Sequence, residues 1–267
     1  MDKIVVSVSG KGGVGKTAVT ALILKVLLER GERPILVVDA DPATNLPDVL
    51  GVEVAKTVGD VATKLKRDIE ADKLPPGVSK GDLLESWVFE TLVEGDEFDL
   101  LAMGRTEGEG CYCFVNSLLT RILDKLTANY KITLMDMEAG LEHLSRRTDR
   151  DVDIMLIVTD PSKMGFETAR RIRELAEEVH INVREMYLIG NMFPRGLEGL
   201  VRRKALEIGL RYGGVIPQDP NIASFNLEGR PLLELPPDSP SVVAARKITE
   251  KVGLVPDTTL LELLGVS

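Results

Sequence analysis

The sequence predicts an α/β fold, with a mostly parallel, twisted sheet of about seven or eight strands, helices on both faces, and a single domain over residues 1–267. A glycine-rich loop at 10–17 lies between an apolar run at 4–8 and an apolar-periodic segment at about 18–28, which indicates a strand, a loop and a helix in that order. The composition agrees, because 44% of the residues are apolar and only 4% aromatic. Such a composition suits a Val, Leu, Ile and Ala core between helices and a parallel sheet.

The loop reads Gly10-Lys11-Gly12-Gly13-Val14-Gly15-Lys16-Thr17 and predicts the phosphate-binding loop of a P-loop NTPase. Its glycines allow successive backbone N–H groups to turn inward around an anion. Lys16 supplies a point charge for the terminal phosphates, and the Thr17 hydroxyl is placed to ligate Mg²⁺. The expected nucleotide-binding positions here are Gly12, Gly13, Val14, Gly15, Lys16, Thr17 and Ala18. We therefore expect a nucleoside triphosphate to bind; the alternative is a glycine-rich turn without a ligand.

Charge and composition argue against several other classes of protein. The net charge is −9, from 33 basic and 42 acidic residues, whereas a general nucleic-acid-binding protein carries a basic face. No stretch reaches about 18 apolar residues, so no transmembrane helix is expected. The first strand begins by Lys3, which leaves no room for a signal peptide, and two cysteines are not a disulfide framework. These features predict a cytoplasmic protein.

The second predicted strand, at 34–39, follows Gly31 at the end of the first helix and runs into a polar turn at 39–45. Ligands of an open parallel sheet bind at the carboxyl ends of its strands, so this turn is expected to face the phosphates. Asp39 and Asp41 in the turn are suited to complete the Mg²⁺ shell and to orient water. The alternative is that both aspartates only cap the following helix.

Signals are weaker between 57 and 95, where helix-compatible stretches at 59–69 and 82–93 flank a Pro-Pro-Gly turn. No shift in composition marks a linker, so this segment is interpreted as an insertion on the sheet. Residues 98–103 are the third predicted strand, and an acidic, glycine-rich loop at 104–110 follows it.

Cys111 and Cys113 lie one residue apart, between that loop and a predicted helix at 115–126. A helix N-terminus lowers the pKa of a thiol and favours the thiolate, which is the metal-binding form. Two thiolates are too few for a closed soft-metal site of four ligands, and His143 and His180 are not near in the sequence. Dimerisation about a two-fold axis would supply four cysteines. The alternatives are cysteines packed in the core and a redox dithiol, whose disulfide would close a strained ring.

The remaining segments continue the pattern of strands and helices. We expect strands at 131–136, 153–159 and 186–191, a helix at 167–179 and a turn at 214–219. Asp136 ends one of these strands and is suited to hold Mg²⁺ through water. The C-terminal segment 258–266 is rich in leucine, but no lysine or arginine follows Lys251. An anionic membrane would therefore not attract it, and we expect it to pack on the body of the protein.

Lys11 is a second lysine within the glycine turn, and with it the chain resembles the deviant Walker A ATPases, whose loop reads KGGVGKT. This is the family of nitrogenase iron protein, MinD and ParA. The resemblance implies ATP and ADP as ligands and an ATP-dependent homodimer in which Lys11 reaches the partner's nucleotide. It implies that Asp41 positions the attacking water and that Asp39 lies nearer the metal. The alternative for Lys11 is a solvated surface lysine.

The same resemblance implies further ligand contacts. The Gly140 amide would sense the γ-phosphate in the second switch, whose first residue is Asp136. Asn191, Pro217 and Asp219 would contact adenine; without the resemblance their two segments are ordinary turns.

A second set of residues narrows the resemblance to the nickel-insertion ATPases, the CooC-type and AcsF-type maturation factors of carbon monoxide dehydrogenase and acetyl-CoA synthase. These residues are Glu107-Gly108-Glu109-Gly110-Cys111-Tyr112-Cys113, Asn116 and the run from Asp136 to Leu144. The resemblance implies that Cys111 and Cys113 of two subunits bind Ni²⁺ or Zn²⁺, and that hydrolysis passes metal to one of those enzymes. It implies no nucleic-acid or membrane partner. His143 is interpreted as a structural group rather than a ligand. One departure is Phe114-Val115, where Pro-Val is expected.

Two other functions stay open. A positioning or partition ATPase would bind DNA or a membrane and use no metal, which the acidic balance and the C-terminal segment disfavour. An iron–sulfur carrier or electron donor like nitrogenase iron protein would also place cysteines at a dimer axis. That protein has one cluster ligand before and one after the second switch, whereas both cysteines here precede Asp136.

Overall fold

The structure is a computed structural model that describes residues 3–74, 77, 79–105, 113–138, 152–178 and 182–256. Within these ranges it has seven strands and nine α-helices. The strands are β1 (Ile4–Gly10), β2 (Ile35–Asp39), β3 (Asp99–Ala102), β4 (Ile132–Asp136), β5 (Val152–Thr159), β6 (Val183–Phe193) and β7 (Arg211–Pro217). The helices are α1 (Lys16–Glu29), α2 (Leu46–Leu50), α3 (Val58–Glu70), α4 (Lys80–Phe89), α5 (Cys113–Thr127), α6 (Lys163–Glu178), α7 (Glu198–Ile208), α8 (Pro220–Glu228) and α9 (Pro240–Lys251).

The strands form one parallel sheet in the order β3-β2-β4-β1-β5-β6-β7. The first strand is therefore central, with β4 on one side and β5 on the other. Because all strands run the same way, their carboxyl ends meet at one edge, where Gly10, Asp39 and Asp136 lie. Asp39 and Asp136 are register partners on neighbouring strands. The predicted α/β fold with a mostly parallel sheet is confirmed.

Two buried apolar layers, one on each face of the sheet, hold the helices in place. In β2, Leu36 and Val38 belong to one layer and Ile35 and Val37 to the other, because successive side chains of a strand point to opposite faces. Helices α3 to α7 contribute to the first layer, and α1, α2, α8 and α9 to the second. Burial on both faces explains why the strands read as continuous apolar runs.

Two interpretations of the sequence are wrong. The segment 57–95 is not an insertion, because α3 and α4 form the crossover between β2 and β3, and parallel neighbours need such a connection. The turn predicted at 214–219 is largely strand, since β7 continues to Pro217. This strand was not recognised from the sequence because it contains two consecutive glycines, and glycine is depleted in strands. The other predicted strands and helices are present, with ends shifted by a few residues.

Several predicted features lie outside the described residues. These are Cys111, Gly140, His143, His180 and the segment 258–266. Among the helices that the structure describes, none combines the length and the apolar character needed to cross a membrane.

Candidate functional site

The glycine-rich loop joins the central strand β1 to helix α1, whose first residue is Lys16. Gly15 caps this helix with a left-handed φ of 81°, and a Cβ there would lie 2.4 Å from Asn191 Nδ2, so the position requires glycine. The loop thereby directs the N-terminus of α1 toward the carboxyl edge of the sheet. The free N–H groups and the positive end of the helix dipole favour an anion at this place.

Asn191, near the end of β6, braces the loop. Its Nδ2 donates a hydrogen bond of 2.8 Å to the Val14 carbonyl, and the residue is only 5% exposed. An amide buried in this way fixes the loop against a strand that is two places away in the sheet. The adenine contact of Asn191 stays a prediction, beside this bracing contact.

The two lysines of the loop are in different surroundings. Lys16 is 8% exposed and acts electrostatically on Asp136, but it forms no ion pair within the described ranges. A buried ammonium that makes no direct ion pair is costly, so its position fits a phosphate ligand. The Lys11 side chain is 38% exposed, and its Nζ lies 3.8 Å from Oδ2 of Asp160, just after β5. Its own chain therefore holds Lys11 at the surface.

Asp136, at the end of β4, faces the first turn of α1. The Thr17 hydroxyl donates to its Oδ2 at 2.7 Å, and the Thr20 hydroxyl lies 3.5 Å from its Oδ1. Burial raises the pKa of Asp136 to about 7; the Thr17 hydrogen bond and the Lys16 charge lower it, and the Asp39 charge raises it. The carboxyl group is therefore poised to lose its proton when a cation arrives.

Asp39 is also fully buried, and its two oxygens accept from backbone N–H groups at 3.0 Å, Oδ1 from Asp41 and Oδ2 from Leu46. Burial raises its pKa to about 6, against the effect of these two hydrogen bonds. Asp41 is half-buried, and its Oδ1 accepts from the Ala43 N–H at 2.9 Å. Both aspartates thus stabilise the turn and the start of α2, as the alternative interpretation expects. Their predicted roles toward metal and water are compatible with that.

These residues fit a magnesium ion. The Thr17 hydroxyl and the Asp136 carboxylate are in contact, and the charges of Asp39 and Asp41 both act on Asp136. Oxygen ligands of this kind are those that Mg²⁺ prefers in proteins, together with phosphate oxygens. The mutual repulsion of the carboxylates gives a cation a favourable place beside the buried Lys16.

Asp219, after β7, makes hydrogen bonds that the sequence did not predict. Its Oδ1 accepts from the Asn221 N–H at 3.0 Å, and its Oδ2 accepts from the Ser241 N–H at 3.0 Å and from the Ser241 hydroxyl at 2.6 Å. Burial alone would raise the pKa of Asp219, but these hydrogen bonds outweigh it and hold the pKa below its ordinary value. The carboxylate connects the first turns of α8 and α9. Its adenine contact, like that of Pro217 at the end of β7, stays a prediction.

Only part of the predicted thiolate site lies within the described residues. Cys113 is the first residue of α5, and α5 leads directly into β4 and so to Asp136. Cys111 and Gly140 lie outside the described residues. In the part of the chain that the structure describes, no group of three or more His, Cys, Asp or Glu residues is placed to hold a metal ion by itself.

Three residues of this region were not found from the sequence. Thr20 lies three residues after Thr17 on the same helix face, and that spacing is a usable signal. Asp160 is the polar residue just after β5, where the carboxyl-edge rule directs attention. Ser241 had no signal, because its partner Asp219 is in another segment.

Comparison with known proteins places the chain among nucleotide-binding proteins. The family model described as the CobQ/CobB/MinD/ParA nucleotide binding domain matches residues 5–232. An uncharacterized ATP-binding protein of Methanocaldococcus jannaschii is 47% identical over 249 residues, which is 93% of this chain and 98% of that protein.

Two further similarities are more distant. The carbon monoxide dehydrogenase accessory protein CooC of Rhodospirillum rubrum is 28% identical over 246 residues, covering 87% of this chain and 90% of that protein. The structure of the MinD cell division protein of Aquifex aeolicus aligns with a TM-score of 0.68 and 21% identity, over 96% of this chain and 98% of that one. The second similarity is one of fold.

Proposed function

The chain belongs to the CobQ/CobB/MinD/ParA nucleotide-binding family and is a P-loop ATPase, and from that premise we propose that it is an ATP-hydrolysing metallochaperone. Cys111 and Cys113 of two subunits bind Ni²⁺ or Zn²⁺ as cargo. Hydrolysis then releases nickel to the active-site cluster of carbon monoxide dehydrogenase or acetyl-CoA synthase. The observation that carries the proposal is the short chain path from Cys113, which begins α5, to Asp136, which ends β4 and contacts Thr17.

The described residues supply the ATPase part of this function. Lys16 and the N-terminus of α1 bind the terminal phosphates, while Thr17, Asp39 and Asp136 hold Mg²⁺. Mg²⁺, when bound, would supply positive charge against the negative charge that develops on the phosphate. Asp41, on the turn after β2, orients the attacking water.

Helix α5 links the two ends of the proposed mechanism. Its buried residues Ile122 and Leu126 belong to the same apolar layer as Met135 and Met137, which flank Asp136. Because a close-packed layer transmits displacements, a shift at the end of β4 repacks the helix that begins with Cys113. Nucleotide state and thiolate geometry are coupled through this layer.

A homodimer completes both half-sites. Two chains supply the four thiolates that a tetrahedral soft-metal site needs. Lys11 reaches the partner's nucleotide after it leaves Asp160, and a partly exposed ion pair of this kind contributes only about 0–1 kcal/mol. A phosphate ligand is therefore strong enough to displace Asp160.

The similarity to the CooC accessory protein, over most of both chains, supports this choice of cargo and client. The C-x-C motif and the D-M-E-A-G motif that carry the resemblance are both present in this sequence. Thiolates bind Ni²⁺ and Zn²⁺ alike, so ligand softness does not choose between the two ions.

Native mass spectrometry of anaerobic protein with Ni²⁺, with and without ATP, tests the proposal. We expect one Ni²⁺ per dimer, and its loss in Cys111→Ser and in Cys113→Ser. Both variants should keep ATP binding, which controls for folding. Nickel binding that survives both changes would contradict the proposal. Iron together with an absorption band near about 400 nm in the purified protein would favour an iron–sulfur carrier instead.

A further inference from the structure

Strand β7 is the last strand of the sheet, and among the described strands it pairs only with β6. A cavity of about 730 Å³ lies along this edge, and β7, α7 and α9 line it. The unpaired edge of a strand presents backbone N–H and C=O groups that can bond to another extended chain. We call this cavity the β7 groove.

The net charge of the side chains that line the β7 groove is opposite in sign to the net charge of the whole chain. They are Arg195, Arg202, Lys247, Lys251, Glu198 and Asp238. Four basic groups against two acidic ones give local positive charge in a protein whose net charge is −9. Such a contrast attracts an acidic partner to this face and repels a basic one.

Two of these cations crowd one aromatic ring. Cζ of Arg202, from α7, lies 4.7 Å from the centre of the Tyr212 ring, and Nζ of Lys251, from the end of α9, lies 4.2 Å from it. Neither cation forms an ion pair with a carboxylate in the described part of the chain. The pKa of Lys251 is lowered, first by burial and then by the charge of Arg202, against the opposite effect of Glu198. A further carboxylate near the two cations would offset their repulsion.

The cation pair is separate from the predicted adenine end of the groove. Tyr212 precedes Pro217 by five residues, which corresponds to about 16 Å at the rise of a strand. Between the two, Val243 of α9 is 38% exposed and lines the groove. Helices α7 and α9 lie on opposite faces of the sheet. An extended chain beside β7 presents alternate side chains to these two faces, so it can offer carboxylates to Arg202 on one face and to Lys251 on the other, with an apolar group beside Val243.

We propose that the β7 groove binds an extended acidic segment of a partner protein, which adds a strand beside β7 and places its carboxylates on Arg202, Lys247 and Lys251. Backbone pairing with the strand edge gives affinity that is independent of sequence, and the cations select acidic segments. The cation end of this docking surface is separate from the predicted adenine contact at Pro217, and the surface does not require the cysteines.

The test uses a blocked, fluorescently labelled acidic octapeptide, Glu-Glu-Val-Glu-Glu-Val-Glu-Glu, which carries carboxylates on both faces of an extended chain. The peptide with Lys in place of each Glu is its opposite. We expect the acidic peptide to bind the full chain at least about tenfold more tightly at low salt. The double variant Arg202→Glu/Lys251→Glu should weaken it at least about tenfold. The matched control Lys80→Glu/Arg171→Glu makes the same change in net charge on α4 and α6 and should change binding less than about twofold. ATP binding should be unchanged in both variants.

Hydrogen exchange separates strand addition from simple anion binding. We expect the bound acidic peptide to slow exchange at 211–217, and inorganic tripolyphosphate to give no such protection. Equal affinity for the two peptides, or equal losses in the groove and control variants, would overturn the proposal. It would also be overturned if tripolyphosphate competed fully with the peptide while the amides at 211–217 stayed unprotected, since the groove would then be a small-anion site.

Discussion

Asp136 and Asp219 are two buried aspartates, 1% and 8% exposed, at the end of one strand and just after another, yet their pKa values are shifted in opposite directions. Asp219 accepts two backbone N–H groups and the Ser241 hydroxyl, and its pKa is held below the ordinary value. Among the described residues, Asp136 accepts from side-chain hydroxyls alone, and burial raises its pKa to about 7.

The neighbours account for this difference. The register partner of Asp136 is another carboxylate, Asp39, so two acidic groups share one buried edge. Asp219 instead faces the free N–H groups of two helix N-termini. A carboxylate with complete hydrogen bonding stabilises the fold, whereas one that faces like charge is arranged for a cation.

The largest expected effect of this difference is on catalysis. Asp136→Asn keeps the side-chain size but removes the charge that attracts Mg²⁺, so we expect the Mg²⁺-dependent ATPase rate to fall by about 10²-fold or more. The measurement is steady-state hydrolysis over a range of Mg²⁺ concentrations. Asp219→Asn serves as the comparison and should lose far less activity; equal losses would mean that Asp136 has no special role toward the metal.

A second prediction for the nucleotide site concerns Lys11 and tests the proposed dimer. Lys11→Gln should keep nucleotide binding but lose ATP hydrolysis, by roughly a hundredfold, because the charge that reaches the partner's nucleotide is gone. Nucleotide titration and hydrolysis assays measure the two effects separately. Thermal stability should hardly change, since the contact with Asp160 is a weak surface pair. Full hydrolysis in this variant would make Lys11 a solvated lysine.

Stability should respond at Asp219. Asp219→Ala leaves donors at the starts of α8 and α9 without their acceptor, and we expect the free energy of unfolding to fall by about 2–3 kcal/mol. Urea unfolding followed by circular dichroism measures this loss. Ser241→Ala should cost about 1 kcal/mol, since it removes only the hydroxyl from the same network. An unchanged stability in Asp219→Ala, together with weaker ATP binding, would show that the adenine contact is its main role.

The stability of the protein should also depend on pH through Asp136. In protein without nucleotide and Mg²⁺, the folded state keeps the Asp136 proton up to about pH 7, whereas the unfolded chain loses it near the ordinary aspartate pKa of 3.8. Ionisation therefore destabilises the folded state progressively between these pH values. We expect Asp136→Asn to gain about 2–3 kcal/mol relative to the wild type between pH 5 and pH 8. Parallel denaturation curves at both pH values would contradict the raised pKa.

The sequence predicts most of the nucleotide side of the molecule. The loop at 10–17, the strand ends at Asp39 and Asp136 and the helix that begins near Cys113 follow from local patterns, because periodicity and strand ends are visible within short windows. What the windows miss are contacts between distant segments. The brace from Asn191 to Val14 and the bonds between Asp219 and Ser241 are of this kind.

The edge of the sheet was harder to predict than its centre. The buried strands β1, β2, β4 and β5 are apolar runs, but β7 contains two adjacent glycines and a half-buried tyrosine, a pattern that resembles a turn. Its identity as a strand depends on pairing with β6, which is a property of the folded chain. The β7 groove exists because of that pairing, so it could not be predicted from the sequence either.

The central position of β1 has a consequence for the newly made protein. Val6 pairs with Ile154, about 150 residues later in the chain, and Ile4 pairs with Ile132. At ribosomal speeds of about 5–20 residues per second, both neighbours of β1 have been synthesised only roughly 7 to 30 seconds after β1 itself. The loop that follows β1 reaches its final conformation only after these strands have paired, so we expect a nascent chain to become able to bind ATP late in its synthesis.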